Sequence, residues 1–126
     1  MRPFIATLTG IATTAVLLAV TTPSANAATY ALLAQSSKGG VTAKLWRNKQ
    51  TGRVHANAVN VRPGEMARLD LYQGLTREKA ILQPGKGNRV NTRSRPVHPP
   101  QKWSACAGSP AGGSRFVCTR YVHIGR

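Results

Sequence analysis

Turn signals recur along this chain at intervals of roughly 8 to 12 residues, which limits it to short extended segments. Clusters of Gly, Pro, Ser and Asn predict loops or turns at 36–40, 48–52, 62–65 and 84–88. Helical periodicity is absent, and only 75–82 fits either a helical turn or a turn followed by a short strand. The pattern predicts an all-β fold, a small antiparallel β-sandwich or barrel of about six to eight short strands.

Apolar and polar residues alternate over the candidate strands, which predicts that each strand buries one face. We expect Val41, Ala43 and Leu45 to face inward, followed across a turn by Val54, Ala56 and Ala58. A later strand is expected to turn Ala67, Leu69 and Leu71 inward and Arg68, Asp70 and Tyr72 outward. The larger side chains predicted for the core are Val41, Leu45, Trp46, Val54, Leu69, Leu71, Ile81, Leu82, Trp103, Phe116, Val117, Tyr121 and Val122.

The first 27 residues have the order of a secretory signal peptide. Arg2 supplies a positive start, 4–20 is an apolar stretch without charge, and Ala25-Asn26-Ala27 offers small residues before a cleavage point. The alternative is an uncleaved anchor, for which the apolar stretch is at the short limit. We therefore predict a secreted, extracellular protein with a signal peptide at 1–27, one basic β-rich domain at 28–126 and no transmembrane segment in the mature chain.

Basic residues far outnumber acidic ones. The chain has 18 Lys and Arg against 3 Asp and Glu, a formal net charge of +15. Removal of Arg2 with the signal leaves 17 basic and 3 acidic residues, a net charge of +14. Such a charge favours anionic partners. Outside the cell these are a cell-wall polymer, nucleic acid, an anionic lipid surface or an acidic protein.

Two cysteines, Cys106 and Cys118, predict one disulfide, because an exported chain with two cysteines allows a single pairing. The ligands for a metal site are too few, and no cofactor motif is present. If the cysteines lie opposite each other in a final hairpin, the same register places Trp103 opposite Tyr121 and Ala107 opposite Val117.

Two parts of the mature chain resemble small secreted proteins of actinobacteria. They are Leu45-Trp46 followed by a polar turn and a returning strand, and Ala105-Cys106 with Phe116-Val117-Cys118-Thr119 near the C terminus. The resemblance implies a β-rich secreted chain with one or two disulfides, and it brings no catalytic residues.

A basic stripe is the first candidate functional site. If 89–95 is extended, Arg89, Arg93 and Arg95 point to one side with Asn91, and Lys86 precedes them. Guanidinium groups bind phosphate or carboxylate in bidentate fashion, so Lys86, Arg89, Arg93 and Arg95 are predicted to bind a polyanion. The alternative is a solvated edge strand protected by its charges and by Pro96. The stripe itself contains few aromatic residues, which argues against the stacking of bases.

Histidines provide a second hypothesis, a secreted metal-independent ribonuclease. His55 with Glu65 or His123, beside arginines, could supply a base, an acid and cations. The spacing has no catalytic signature, and His98 fits a loop. An enzyme is therefore less favoured than a binding domain.

The disulfide-closed loop at 107–117 provides a third hypothesis, a protein-interaction or inhibitor module. The sequence favours a secreted, non-enzymatic basic domain that binds polyanions or an anionic cell surface, with the ribonuclease and the loop module as alternatives.

Overall fold

A computed structural model describes residues 29–125, which form two antiparallel sheets packed face to face. The predicted signal peptide lies outside the described residues. Within them no helix is long and apolar enough to cross a membrane. The strands are β1 Tyr30–Lys38, β2 Val41–Asn48, β3 Val54–Val59, β4 Met66–Leu71, β5 Leu75–Ile81, β6 Arg89–Asn91, β7 Gln101–Gly108, β8 Phe116–Cys118 and β9 Val122–Ile124.

The two sheets confirm the predicted small all-β sandwich. The first sheet has the order β1-β2-β3-β6, and the second has the order β5-β4-β7-β8, with β9 also pairing with β7. The chain crosses between the sheets after β3, after β5 and after β6. Nine strands are present over 29–125 because the last segment divides into β8 and β9, each of three residues.

The core lies between the inner faces of the sheets, where small and large side chains alternate. The alternation predicted for β2 and β3 is confirmed, since Val41, Leu45 and Val54 are fully buried together with their alanine neighbours. Trp103 on β7 is 2% exposed and is the largest fully buried side chain. The inner alanines are Ala43, Ala56, Ala58, Ala67, Ala105 and Ala107.

Strand β1 is longer than predicted, and for 75–82 the second of the two predicted alternatives, a turn followed by a short strand, is confirmed. Strand β1 continues through 36–38, which was expected to be a loop, because its backbone pairs with β2 as far as Lys38 opposite Val41. Gly39 and Gly40 alone then make the turn, both at positive φ. The ambiguous segment after Tyr72 is strand β5, because it completes the edge of the second sheet beside β4.

Several predicted core side chains lie on outer faces. Trp46 shares the outer face of β2 with Lys44 and is half-buried, while Ile81 and Tyr121 are exposed. Asp70 is on the outer face as predicted, but it is only 3% exposed. It is covered because the Arg68 guanidinium folds over its carboxylate, with Nη2 2.8 Å from Oδ2, and lies 5.4 Å from the Phe116 ring centroid.

The disulfide between Cys106 and Cys118 is present, with the two residues directly opposite each other on β7 and β8. The expected pairing of Trp103 with Tyr121 is wrong by one residue, since Trp103 lies opposite Val122. The register changes at Thr119, whose side-chain Oγ1 accepts the hydrogen bond from the Ala105 N–H. Tyr121 consequently turns to the outer face.

Candidate functional site

A groove runs across the outer face of the first sheet and brings aromatic, amide and basic side chains together. Its volume is about 440 Å³, and none of its lining residues is acidic. Three successive cross-strand rows form its floor, about 7 Å apart along the strands. The lining residues are Tyr30, Lys44, Trp46, His55, Asn57, Arg89, Asn91, Thr92 and Ser94.

Aromatic rings occupy one end of the groove. Trp46 on β2 pairs with His55 on β3, so both rings project from the same face of the sheet. Tyr30 reaches over β2 from the edge strand, and its ring meets His55 edge-on with centroids 5.2 Å apart. Burial beneath this contact lowers the pKa of the His55 imidazole below its usual 6.5. The ring is therefore mainly neutral at pH 7.

The middle row carries a cation and two amides. Lys44 pairs with Asn57, and Asn57 pairs with Asn91, so the three side chains lie side by side across three strands. Asn57 Nδ2 donates a hydrogen bond of 2.8 Å to Asn91 Oδ1. The Lys44 ammonium lies 6.0 Å from the Trp46 ring centroid, which joins the aromatic and basic parts of the groove.

Arg89 forms the other end of the groove. It lies opposite Val59 on the outer face of β6, and its side chain is exposed. Arg89 is two rows from His55, a distance of about 14 Å along the strands. The groove is therefore long enough to contact several units of a polymer rather than one small anion.

The predicted basic stripe is interrupted after Asn91, because β6 ends there. Thr92 lines the groove, and its side-chain Oγ1 takes the place of a backbone acceptor by accepting a hydrogen bond from the Ala56 N–H. The pairing with β3 resumes with Val54 opposite Arg95, one residue out of step with Asn57 opposite Asn91.

This one-residue shift reverses the direction of Arg95. Arg95 faces the second sheet with Val54, and its Nη1 lies 3.0 Å from Glu78 Oε2 on β5. The expectation that Arg95 points to the same side as Arg89, Asn91 and Arg93 is therefore wrong. Arg89 lines the groove, Arg93 is exposed beside the lining residues Thr92 and Ser94, and Lys86 is exposed on the turn before β6.

All three acidic residues of the chain are bound to arginines that hold the fold together. Asp70 binds Arg68, and Glu78 binds Arg95 across the two sheets. Glu65 accepts hydrogen bonds from Arg115 at both carboxylate oxygens, 2.9 and 3.0 Å, and this contact lowers the pKa of the Glu65 carboxyl.

Arg115 also donates to the carbonyls of Gly39 and Asn60, so it fastens the 107–117 loop to two turns of the first sheet. A Cβ at Gly39 would collide with the Ser114 carbonyl, which requires glycine there. One side of the loop predicted for protein interaction is therefore packed against the body of the domain.

The histidines do not assemble the constellation that the ribonuclease hypothesis requires. His55 lies on the outer face of the first sheet, whereas His123 lies on β9 of the second sheet and His98 is exposed near Gln101. Glu65 is occupied by Arg115 and by the Arg62 N–H. Within 29–125, no hydrogen bond or ion pair joins a histidine to an acid, and no cluster of His, Cys, Asp and Glu could hold a metal ion.

The aromatic part of the groove was missed from the sequence. Tyr30, Trp46 and His55 come from three strands, and only their register brings them into one groove with Arg89. One signal was present: in the alternation of β2, Trp46 has the same phase as the outward Lys44. An aromatic residue at an outward position would have pointed to this face.

No protein-family model, no curated protein and no solved structure matches this chain.

Proposed function

We propose that this protein is a secreted, non-enzymatic basic domain that binds polyanions or an anionic cell surface, with the outer-face groove as the polymer-binding site. The observation that carries the proposal is the distribution of charge. Each acid forms an ion pair with an arginine that stabilises the fold, whereas Lys44 and Arg89 line a groove that contains no acid. The uncompensated positive charge of the chain is thus presented to solvent.

The shape of the groove suits a chain-like ligand. Lys44 and Arg89 lie in different rows, so they can hold two anionic groups of one polymer, and Arg93 adds a charge nearby. Beyond Lys44, at the end of the groove opposite Arg89, Trp46 and Tyr30 offer ring surfaces on which a base or a sugar can stack. The ligands that fit are cell-wall polymers and nucleic acids, which share phosphate or carboxylate groups.

Secretion is supported by the signal-like order of 1–27 and by the Cys106–Cys118 disulfide, which persists in oxidising compartments. Mass spectrometry of the protein recovered from culture medium is expected to show an N terminus at Ala28. A membrane-bound product that retains Met1 would contradict secretion.

The test of the groove compares two variants that lose the same charge. Lys44→Gln/Arg89→Gln removes two cations from the groove, and Arg77→Gln/Lys79→Gln removes two exposed cations from β5 in the second sheet. Neither variant removes an arginine that holds an acid. Binding of heparin and of single-stranded oligonucleotide is measured by calorimetry over a range of salt concentrations.

We expect the groove variant to weaken binding about tenfold or more and to reduce the dependence of log K on log salt by about 1 to 2 units. The β5 variant is expected to change affinity less than about threefold, through its net charge alone. Equal losses in the two variants would mean that binding follows a diffuse field, and the groove would then not be the site.

A further inference from the structure

The turn between β4 and β5 exposes apolar side chains at one end of the sandwich. We name residues 72–75, together with Tyr121 packed against them, the β4–β5 tip. Tyr72 is 49% exposed and Leu75 56% exposed, and they flank the neutral apex Gln73-Gly74. The Tyr121 ring meets the Tyr72 ring edge-on at 5.3 Å and is itself 36% exposed. Three of the five exposed large apolar side chains within 29–125 therefore lie at this tip.

Basic side chains stand behind the apolar apex. The Lys102 ammonium lies 4.8 Å from the Tyr72 ring centroid, and His123 is directly opposite Lys102 on the neighbouring strand. Arg120 is exposed beside Tyr121. The nearest acid along the chain, Asp70, presents no free carboxylate, because Arg68 and Thr76 bind both of its oxygens.

We propose that the β4–β5 tip docks this domain on an anionic lipid surface, with Tyr72, Leu75 and Tyr121 entering the interface and Lys102 and Arg120 meeting the lipid phosphates. Tyrosine favours the boundary between hydrocarbon and water, and each Lys or Arg near an anionic bilayer adds to binding. A second copy of the chain would place like charges against Lys102 and Arg120, so self-association at the tip is disfavoured. The proposal extends the function to a second site and uses none of the groove residues.

The proposal is tested by co-sedimentation with vesicles of phosphatidylcholine mixed with phosphatidylglycerol, and with vesicles of phosphatidylcholine alone. The first variant pair isolates the apolar part: Tyr72→Ser/Leu75→Ser at the tip, against Leu32→Ser/Ile81→Ser, which removes two exposed apolar side chains elsewhere. We expect the tip variant to bind mixed vesicles about tenfold more weakly and the control less than about twofold more weakly.

The second variant pair isolates the charge at the apex. Gln73 has a φ of 77°, a conformation that Asn and Asp both tolerate, so Gln73→Asn and Gln73→Asp differ only in charge. The Asp variant is expected to lose about tenfold in affinity for mixed vesicles, while the Asn variant stays within about twofold of the original protein. Circular dichroism and melting curves confirm that each variant folds.

Three results would overturn the proposal: no binding of the original protein to mixed vesicles, equal losses in the tip and control variants, or loss of vesicle binding only in Lys44→Gln/Arg89→Gln. The last result would assign lipid binding to the groove. Heparin binding that persists in the tip variants while their vesicle binding is lost would support two separate sites. Vesicle binding that depends on the tip, together with heparin binding that is unchanged in Lys44→Gln/Arg89→Gln, would count against the groove alone.

Discussion

The Arg68–Asp70 pair is expected to respond unequally to loss of its two members. Asp70 is 3% exposed, and its carboxylate accepts from Arg68 Nε at 2.9 Å, from Arg68 Nη2 at 2.8 Å and from Thr76 Oγ1 at 3.2 Å. Arg68 keeps 27% of its side chain exposed and rests on the Phe116 ring. Water can therefore replace Asp70 around Arg68 far more easily than it can replace Arg68 around Asp70.

Removal of one partner of a buried ion pair costs about 3–5 kcal/mol, because the other charge is left unpaired. Partial exposure of Arg68 lets some water reach the site, so we expect Arg68→Met to lower the free energy of unfolding by about 2–3 kcal/mol. Asp70→Asn leaves a partly solvated guanidinium and is expected to cost about 1 kcal/mol. The free energy of unfolding of the double variant should be close to that of Asp70→Asn alone, because the amide at position 70 needs no counter-charge.

Urea unfolding at neutral pH, followed by circular dichroism, gives the four free energies of this double-mutant cycle. Circular dichroism of the native state and equal urea slopes establish that the variants unfold from the same fold. Equal losses in the two single variants, or a loss below about 1 kcal/mol for Arg68→Met, would mean that the pair behaves as an ordinary surface ion pair. Asp70 would then not be an acid whose charge the fold neutralises in a buried ion pair.

Three further outcomes are expected. Cys106→Ala/Cys118→Ala should lower the free energy of unfolding by about 3 kcal/mol, because the bridge closes a loop of about 13 residues in the unfolded chain; urea unfolding under identical conditions measures it, and an unchanged midpoint would contradict it. Because Arg115 lowers the pKa of Glu65, the ionised carboxyl stabilises the fold at pH values above 4.5, the pKa of the unfolded chain, and this contribution is lost as the pH falls below 4.5 through the folded pKa. Glu65→Gln should therefore reduce the fall of unfolding free energy with decreasing pH. An unchanged dependence on pH would exclude the carboxyl as its source. A polyanion in the groove should raise the lowered pKa of His55 toward or above 6.5, which NMR titration with and without heparin can detect, and an unmoved pKa would place the polymer elsewhere.

Local sequence patterns predicted the strands whose inner face is buried. Val41, Ala43 and Leu45 alternate with polar residues, and burial of one face fixes the phase of such a strand. Patterns failed where pairing rather than burial decides the structure. Lys38 extends β1 because the backbone of β2 is available beside it, although nothing apolar marks the segment.

The disulfide was predictable because two cysteines allow one pairing. The strand register that it sets, however, does not continue along the hairpin to Trp103. The Thr119 hydroxyl substitutes for a backbone acceptor, and the strand then shifts by one residue before Val122. A side chain that competes with the backbone in this way leaves no mark in hydrophobic periodicity.

The candidate site was predictable only in part, since Arg89 and Arg95 differ in direction by a single bulged residue. Outward alternation predicted the direction of Arg89, whereas the one-residue shift in pairing between Asn91 and Arg95 turns Arg95 toward Glu78. The aromatic end depends on contacts between strands that are distant in sequence, such as Tyr30 with His55. Such contacts follow from the register of four strands, which one sequence does not specify.

NMR chemical-shift mapping tests the central claim, polyanion binding in the groove, most directly. Titration of the ¹⁵N-labelled domain with heparin or an oligonucleotide at moderate salt is predicted to shift the signals of Lys44, Trp46, His55, Arg89 and Asn91, including the Trp46 indole N–H. The buried Trp103 indole N–H, which has no hydrogen-bond partner among the described residues, serves as the internal reference and should not move. Shifts spread evenly over exposed Lys and Arg, with none centred on the groove, would contradict the account.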